Sequence, residues 1–378
     1  MRCEQCQWSP ANGWGAKLPG ALGSSAQLVL AFGDVTVESA EECLGSVSQL
    51  YPNAQIFGCS TAGDIQGTTL SDGMLSITAI AFEHTWVAAG QSALHGPSEG
   101  FAGAVQAISS LPPEGLRHVL LLAPGNYLNG GDLVCGINSA LPAGVTASGG
   151  FAGAGGQVHG SSVWCGGKPD GPAIGALGFY GPRLRVGTGA GGGWRPFGPD
   201  RRITRCSNVT ICELDGHSAL ELYKQYLGEH AKSLPFSALR FPLGLRANEN
   251  EPWQVRVIVG IDEAQGGLSF DCKIAEGAHA RFLVGNAGHL VEGALSAAEL
   301  SQQRLGSPAE LSIVVSCFGR KVVLGQQTEE ELEALRQVFG SQTVMTGFYS
   351  YGEISGLADS AQAGLYNQTM TVTTLSEQ

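Results

Sequence analysis

Short apolar runs that end on glycine recur along the chain and predict buried strands followed by tight turns. The run LVLAFGD at 28–34 aligns without a gap with LLLAPGN at 120–126. Each leads to a glycine-rich turn, GCSTAGDI at 58–65 and GFAGAGGQ at 150–157, so the intervals from Leu28 to Gly58 and from Leu120 to Gly150 are both 30 positions. Equal spacing of this kind indicates a repeated supersecondary unit.

Helical patterns and further strands fill the rest of each unit. Stretches at 39–50 and 131–141 have helical character, and MLSITAIAF at 74–82 and AIGALGF at 173–179 are closing strands. The plan returns near the end, with a strand at 311–320, a strong helix from Thr328, the turn GFYSYGEI at 347–354 and the closing strand QTMTVTTL. A strand and an amphipathic helix in NVTICELDGHSALELYKQYLG separate this last unit from the others.

These patterns predict an α/β fold with two related halves. Each half contains repeated strand, helix, strand, glycine turn and strand units in mixed sheets, and a ligand cleft is expected where the turns of the halves meet. We place a domain boundary near 195–202, which gives a first domain at 25–198 and a second at 199–378. Residues 1–24 are expected to be a disordered or frayed tail, in which Cys3 and Cys6 have the spacing of half a zinc site without a second pair.

Composition excludes several classes of partner. The 378 residues carry a formal net charge of −12 with only 14% charged residues, a balance that repels polyphosphate, so nucleic acid and anionic membranes are not expected partners. No apolar segment has the length of a signal peptide core or a membrane span. We therefore expect a cytoplasmic protein whose ten cysteines are free thiols.

Five ordered blocks resemble the FIST domain family. GCSTAGDI at 58–65 is similar to the signature turn of the FIST N-terminal domain. Blocks similar to the FIST C-terminal domain are ELDGHSALELYKQYLG (213–228), SCFGRKVVLG (316–325), GFYSYGEISG (347–356) and YNQTMTVTTL (366–375). Two departures occur: Ala154 and Gly155 stand where the family usually has an acid in its central turn, and the preceding strand ends in Pro124, Gly125 and Asn126 where Asp-Gly is usual.

The resemblance implies an intracellular sensory module that binds a small molecule such as an amino acid. Relatives act beside histidine kinases, cyclic-dinucleotide enzymes or chemotaxis receptors, and a subset binds haem and senses nitric oxide. Haem b is therefore one expected cofactor. The oligomeric state stays open, with a homodimer as one arrangement.

The glycine turns supply most of the candidate ligand contacts. Cys59 is a nucleophile, a ligand contact or a packed small hydrophobe, and the apolar Phe151 and Phe348 at the positions aligned with it favour packing. Hydroxyls and backbone N–H groups of such a turn either hold an anionic group or satisfy the turn itself. The candidates in and beside the first two turns are Cys59, Ser60, Thr61, Gly63, Asp64 and Gly150.

The last unit supplies the remaining candidates. Tyr349 and Tyr351 alternate along a strand and offer aromatic walls or core packing. Glu353, like Asp64, is an acid that follows the turn glycine. Each of the two either accepts a hydrogen bond from an ammonium group of a ligand or holds its turn closed. Arg320 and Asn367, within family-like blocks, are candidates for carboxylate recognition, with surface salt bridges as the alternative.

Haem and enzyme chemistry receive weaker sequence support. His217, His279 and His289 are candidate axial ligands, against surface and capping roles, and no CxxCH motif for covalent haem attachment occurs. Phosphate-binding, nucleophile-elbow and zinc-protease motifs do not occur either. We therefore predict a ligand sensor and not an enzyme, with a cysteine-dependent enzyme using Cys59 and a purely structural interaction module as the alternatives.

Overall fold

The structure is a computed structural model that describes residues 1–125, 127–154, 160–166, 172–356 and 362–378. Asn126 and Gly155, where the sequence departs from the FIST pattern, lie outside the described residues, whereas Ala154 lies within them. No helix in the described ranges is both long enough and apolar enough to cross a membrane.

Unit 1, at residues 28–81, is built on two parallel strands joined by a helix. The elements up to its end are β1 (Arg2–Ser9), β2 (Gly13–Trp14), β3 (Leu28–Gly33), α1 (Val37–Leu50), β4 (Gln55–Ser60), β5 (Asp64–Gln66), β6 (Thr69–Ser71) and β7 (Leu75–Ala81). Every residue of β3 is buried, as expected for a parallel strand covered on both faces. Helix α1 begins after Thr36, whose side chain accepts a hydrogen bond from the backbone N of Ser39, so the first turn is capped.

Residues 2–9 form an ordered strand, so the prediction of a frayed tail over residues 1–24 is wrong. Strand β1 pairs antiparallel with β7, from Arg2 opposite Ala81 to Trp8 opposite Leu75. Cys6 and Trp8 point to the same face of β1 and are 2% and 6% exposed. Burial of these alternate apolar side chains in the core of unit 1 holds the strand in place.

Unit 2, at residues 116–180, repeats the same plan. Its elements and its flanking strands are β8 (Trp86–Ala93), α2 (Gly100–Ser109), β9 (Leu116–Pro124), α3 (Gly130–Ala140), β10 (Thr146–Ala152), β11 (Val163–Cys165), β12 (Ala173–Tyr180) and β13 (Leu184–Gly191). The side chain of Asn129 accepts from the backbone N of Asp132 and caps α3. Strands β9 and β10 are parallel, and β12 returns antiparallel beside β9.

Residues 195–284 form a separate layer that we call the bridging domain. Its elements are β14 (Arg195–Ser207), β15 (Thr210–Leu214), β16 (His217–Ser218), α4 (Ala219–Leu227), β17 (Leu243–Arg246), β18 (Gln254–Arg256), β19 (Gly260–Asp262), β20 (Gly267–Ser269) and β21 (His279–Val284). The strands run in the order β18-β17-β21-β14-β15-β20-β19, with β16 paired to β15. The predicted domain boundary at 198/199 falls inside β14.

Unit 3, at residues 311–377, completes the set and follows a long helix. The elements are α5 (Ala287–Leu305), β22 (Leu311–Cys317), α6 (Phe318–Leu324), α7 (Thr328–Phe339), β23 (Val344–Ser350), β24 (Glu353–Gly356), β25 (Ala363–Tyr366) and β26 (Met370–Glu377). Strands β22 and β23 are parallel, and β26 lies antiparallel beside β22. The predicted α/β class, with mixed sheets and repeated units, is confirmed, with two units in the first half of the chain and one in the second.

The three units exchange strands in a closed cycle. Their sheets run β11-β4-β3-β7-β1-β2, β25-β24-β10-β9-β12-β8 and β6-β5-β23-β22-β26-β13. In each sheet the two parallel strands and the closing strand come from one unit, while the short strands beside the second parallel strand come from another. Unit 2 thus completes the sheet of unit 1, unit 1 completes that of unit 3, and unit 3 completes that of unit 2.

Backbone hydrogen bonds link the three units at the ends of their parallel strands. The N of Ala62 donates to the O of Tyr349 at 2.9 Å, the N of Tyr351 donates to the O of Phe151 at 3.1 Å, and the N of Gly153 donates to the O of Ser60 at 3.0 Å. These three bonds repeat one interaction around the cycle. The carboxyl ends of the strand pairs therefore meet near a common point.

The equivalence of the three units also shows which glycines of their turns correspond, and it corrects the alignment made from the sequence. A Cβ at Gly58, Gly149 or Gly347 would lie 1.7 Å, 1.8 Å or 1.8 Å from the carbonyl oxygen of the neighbouring parallel strand. Gly149, and not Gly150, is therefore the partner of Gly58 in unit 2. Cys59 consequently aligns with Gly150, and Phe151 aligns with Ser60, one position away from the sequence-based alignment.

Candidate functional site

A cavity of about 780 Å³ lies at the carboxyl ends of the strands of units 2 and 3 and is covered by the bridging domain. Both halves of the chain contribute to it, in agreement with the expected cleft. Unit 2 supplies Tyr127, Leu128, Gly130 and Phe151; the bridging domain supplies Ser233, Leu234, Pro235, Phe236, Leu239, Val257, Ile258, Val259 and Asp271; unit 3 supplies Cys317, Phe318, Gly319, Ser350, Tyr351 and Asn367. The lining is mainly apolar and aromatic, as is usual for small-molecule sites.

Strand ends and helix starts position the aromatic side chains. Phe151 is near the end of β10, Phe318 begins α6 directly after β22, and Tyr351 follows β23. The rings of Phe318 and Tyr351 meet edge to face with centroids 5.9 Å apart, a favourable arrangement for aromatic pairs. This contact fixes one wall of the cavity.

Asp271 and Asn367 form a hydrogen-bonded polar pair in the lining. The Nδ2 of Asn367 donates to the Oδ2 of Asp271 at 3.0 Å. The Oδ1 of Asp271 and the Oδ1 of Asn367 are buried and have no hydrogen-bond partner among the described residues. An unpaired buried acceptor is unfavourable by about 1–3 kcal/mol. Asp271 and Asn367 thus form a polar pair in a mainly apolar wall, with both Oδ1 atoms shielded from the cavity.

Sequence reasoning found only part of this lining. Tyr351 and Asn367 were predicted ligand contacts, and both line the cavity. Asp271 was missed because it lies between elements, outside the glycine turns. The signal that could have revealed it is an acid directly between the apolar Phe270 and Cys272, in a segment where an exposed turn would carry more polar neighbours.

Arg320 does not face the cavity, so the prediction of carboxylate recognition by this residue is wrong. The side chain is fully buried, and its Nε and Nη2 donate to the Oε2 of Glu331 at 3.0 and 2.8 Å. The remaining donors reach the carbonyl oxygens of Gly192 and Leu290, both at 2.7 Å. Every side of the guanidinium is thus committed to the protein, which is the condition for burying a charge.

Tyr349 likewise belongs to the core. It is 0% exposed, and its hydroxyl donates to the Oε1 of Glu331 at 2.7 Å. The alternation of Tyr349 and Tyr351 suggested that both face one ligand, but the chain leaves β23 at Ser350. Only Tyr351 reaches the cavity.

The hydroxyls of the first glycine turn satisfy backbone groups. The Oγ of Ser60 donates to the O of Gly153 at 2.6 Å and accepts from the N of Ser162 at 2.8 Å. The Oγ1 of Thr61 accepts from the N of Gly63 at 3.2 Å. The two hydroxyls therefore satisfy backbone groups of the turn and its neighbours. Ser60, Thr61 and Gly63 do not line the cavity.

Cys59 and Gly150 are packing positions. Cys59 is 0% exposed within the core around Phe32 and Phe57, and burial raises the pKa of its thiol well above the ordinary value. A nucleophilic thiolate is therefore disfavoured, and Cys59 does not support a cysteine-dependent enzyme. A Cβ at Gly150 would lie 2.8 Å from the Cγ1 of Val315, so this glycine is needed for close packing.

Asp64 and Glu353 are buried carboxyl groups behind the turns. Burial raises the pKa of Asp64 to about 7 and that of Glu353 to about 8. The Oδ2 of Asp64 accepts from the hydroxyl of Ser76, and the Oε1 of Glu353 accepts from the Oγ of Ser350 at 2.7 Å. Neither carboxyl lines the cavity, so turn closure is the role that the contacts support.

The residues at the cavity do not fit a haem held by histidine or thiolate. No histidine is among the described lining residues, and His217, His279 and His289 lie on β16, β21 and the start of α5. Burial raises the pKa of the Cys317 thiol well above its ordinary value. Over the described ranges, no group of three or more His, Cys, Asp or Glu side chains is placed to hold a metal ion.

The family of the chain follows from sequence models of its two halves. The FIST N domain matches residues 27–217 and the FIST C domain matches residues 219–356. The chain therefore belongs to the FIST family, whose domains are signal-transduction sensors that bind small ligands. No curated protein sequence matches the chain.

Among the solved structures that match the chain, two cover its full length or nearly so at low similarity. A cyanuric acid hydrolase from A. caulinodans shares 9% identity, with 100% of this chain and 99% of that chain covered, at a TM-score of 0.38. A second, titled "Cyanuric acid hydrolase: evolutionary innovation by structural concatenation", shares 11% identity, with 99% of both chains covered, at a TM-score of 0.33. At these TM-scores the likeness supports no argument about substrate or mechanism.

These two structures nonetheless correct the prediction that the chain is not an enzyme, because both carry the names of hydrolases. The prediction had rested on missing sequence motifs and on the sensory role of the family. The hydrolase activity named in the titles describes those proteins and not this chain.

Proposed function

We propose that the cavity is the ligand site of a cytoplasmic sensory protein, which binds a small molecule and thereby regulates a separate signalling partner. A histidine kinase, a cyclic-dinucleotide enzyme or a chemoreceptor is the class of partner that the family suggests. The observation that carries the proposal is the mainly apolar and aromatic cavity, with the hydrogen-bonded pair Asp271 and Asn367 in its wall. The ten cysteines are all free, which supports a reducing compartment.

The position of the cavity supports coupling between binding and signalling. Its walls come from unit 2, unit 3 and the bridging domain, so a ligand that contacts all three favours one arrangement of these parts over others. A ligand shifts a conformational equilibrium only by its difference in affinity for the two states. Phe236 and Val259, at 61% and 56% exposure, form the outer rim, where such a rearrangement reaches the surface.

A blocking variant tests whether ligands bind in this cavity. Val259→Trp places an indole at the rim, and its exposed position makes the change tolerable to the fold. The matched control is Val37→Trp, since Val37 is 39% exposed at the start of α1 and is not a lining residue. The measurement is a thermal-shift screen of small amines, amino acids, alcohols and carboxylates, followed by calorimetry.

We expect at least one compound to raise the Tm of the wild type and of Val37→Trp in a saturable manner and to lose this effect in Val259→Trp. A compound that stabilises all three proteins equally would place its site elsewhere and contradict the proposal. A full panel without any saturable binder would contradict it as well.

A further inference from the structure

We infer that the ligand is an organic cation, an amine or quaternary ammonium compound with an apolar body. This inference rests on the proposed function, because it concerns the same cavity. Among the described lining residues, Asp271 is the one charged side chain, and there is no Lys, Arg or His. Described walls with a single carboxylate and no cation favour a ligand of positive charge.

Aromatic rings strengthen this selection. Tyr127, Phe151, Phe236, Phe318 and Tyr351 all line the cavity, and each ring face carries negative electrostatic potential. A cation over such a face is attracted to it, and more strongly where the site is desolvated. Aromatic walls with one acid are the usual environment for ammonium groups, whereas an anion would face repulsion from both the rings and Asp271.

One hydrogen bond fixes the orientation of Asp271 and Asn367 in the wall of the cavity. A carboxylate only accepts, so the amide nitrogen of Asn367 must face Asp271, and its oxygen must point away. Asn367 is 3% exposed, so neighbouring atoms restrict the side-chain conformations that it can adopt beside Asp271. The two remaining Oδ1 atoms are both acceptors. Both are shielded from the cavity, so a ligand there meets the negative charge of the Asp271 carboxylate without a direct hydrogen bond to either Oδ1.

Nearby cations are committed elsewhere, which argues against an acidic ligand. Arg256, next to the lining residue Val257, is 7% exposed and donates to the carbonyl oxygens of Val255 and Leu365 at 3.1 and 3.0 Å. Lys321, on α6, contacts the O of Ala62 at 2.9 Å and the Oδ1 of Asp72 at 2.5 Å. No salt bridge within the described residues joins Asp271 to a cation, so its charge is available to a ligand.

One hydroxyl of the lining, that of Ser350, is hydrogen-bonded within the protein. The Oγ of Ser350 lies 2.7 Å from the Oε1 of Glu353 and donates there. The other polar side chains of the described lining are the neutral Asn367, Ser233, Tyr127 and Tyr351. An amino acid would bring a carboxylate with no cationic partner on the described walls, so an amine without a carboxylate is the better fit.

Matched probes of similar size and different charge test the ligand class. We would titrate the full chain by calorimetry with phenethylamine and choline as cations, 2-phenylethanol as the neutral analogue and phenylacetate as the anion. We expect saturable one-to-one binding of a cation at least tenfold tighter than that of the alcohol, and no binding of phenylacetate. Asp271→Asn should weaken cation binding at least tenfold and leave alcohol binding unchanged. Glu299→Gln, at an exposed position on α5, changes the net charge equally and should have no effect.

The outcomes separate this inference from the proposed function. If the alcohol or phenylacetate binds as tightly as the cations, and Val259→Trp abolishes that binding, the cavity is a ligand site but its ligand class is not cationic. Cation binding that survives Asp271→Asn, or absence of cation binding, also overturns the inference. If Asp271→Asn does not fold, the comparison of cation with alcohol in the wild type decides the question alone.

Discussion

Asp64 and Glu353 occupy equivalent places, each following the turn glycine of its unit. Both carboxyl groups are fully buried, and burial disfavours their charged forms, which raises the pKa values from 3.8 to about 7 and from 4.5 to about 8. The unfolded chain therefore releases these protons at lower pH than the folded chain does. Between those pH values the folded state binds more protons than the unfolded state.

The sign of the pH dependence follows from this difference. When the folded state binds more protons, the free energy of unfolding falls as pH rises. We expect this loss of stability from about pH 4 to about pH 8, the interval between the ordinary and the raised pKa values. Urea denaturation at pH 5, 6, 7 and 8 measures it.

The substitution Glu353→Gln isolates one of the two groups. Gln keeps the shape of the neutral acid and can still bond Ser350 and Thr369, so the variant should lose less stability than the wild type between pH 5 and pH 8. Glu333→Gln, at an exposed position of α7, is the control and should follow the wild type. An unchanged slope in Glu353→Gln would show that this carboxyl does not titrate in that interval.

At the scale of elements, the three equivalent glycines mark where parallel strands approach most closely. Gly58, Gly149 and Gly347 each face the carbonyl of the neighbouring strand, with no room for a side chain. An inserted methyl group forces the strands apart, and overpacking of this kind typically destabilises a protein by about 1–3 kcal/mol.

We therefore expect Gly58→Ala, Gly149→Ala and Gly347→Ala each to lower the free energy of unfolding by about 1–3 kcal/mol. The control is Gly45→Ala in α1, where a Cβ would meet nothing within 4 Å. Replacing a helical glycine by alanine should stabilise the protein by roughly 0.5–1 kcal/mol. Denaturant unfolding of the four variants provides the measurement. Equal effects at all four positions would contradict the proposed strand approach.

The sequence predicted the elements of the units well but could not predict how they are shared. Helices expected at 39–50 and 131–141 are found at Val37–Leu50 and Gly130–Ala140, because helical periodicity and capping residues are local signals. The exchange of short strands between units depends on contacts far apart in sequence. For the same reason Arg320 was assigned to a ligand, since nothing near it in sequence indicates its partner Glu331.

In the candidate site, too, sequence patterns indicated some residues and missed those that are brought in from distant parts of the chain. Tyr351 and Asn367 lie in blocks whose pattern drew attention to them, whereas Asp271 comes from the bridging domain, which no repeat signal connects to the turns. Apolar lining residues such as Phe318 are indistinguishable from core positions in a sequence. Convergence of three parts of the chain on one cavity is a tertiary property.

At the scale of the whole molecule, the strand cycle makes the halves depend on each other. Strand β10 of unit 2 pairs with β24, and β23 of unit 3 pairs with β5. A fragment of residues 1–217 would lack β24, and one of residues 218–378 would lack β5. Each fragment would then expose a strand edge, which is prone to association.

We expect neither fragment alone to unfold cooperatively as a monomer, and we expect the two to form a one-to-one complex when refolded together. Size-exclusion chromatography with light scattering, combined with thermal unfolding, distinguishes these cases. The full chain refolded under the same conditions is the control. A stable monomeric fragment with a cooperative transition would show that the exchanged strands are dispensable.

The pairing of β5 with β23 also determines when the protein can be completed during synthesis. Gln66 of unit 1 lies opposite Thr346 of unit 3, 346 − 66 = 280 positions later, so the hairpin of unit 1 has no partner strand until the ribosome has made these residues as well. At about 5–20 residues per second, this wait lasts roughly 15–55 s. During that interval the nascent chain carries an unpaired hairpin, which is a natural binding site for a chaperone until β23 pairs with it.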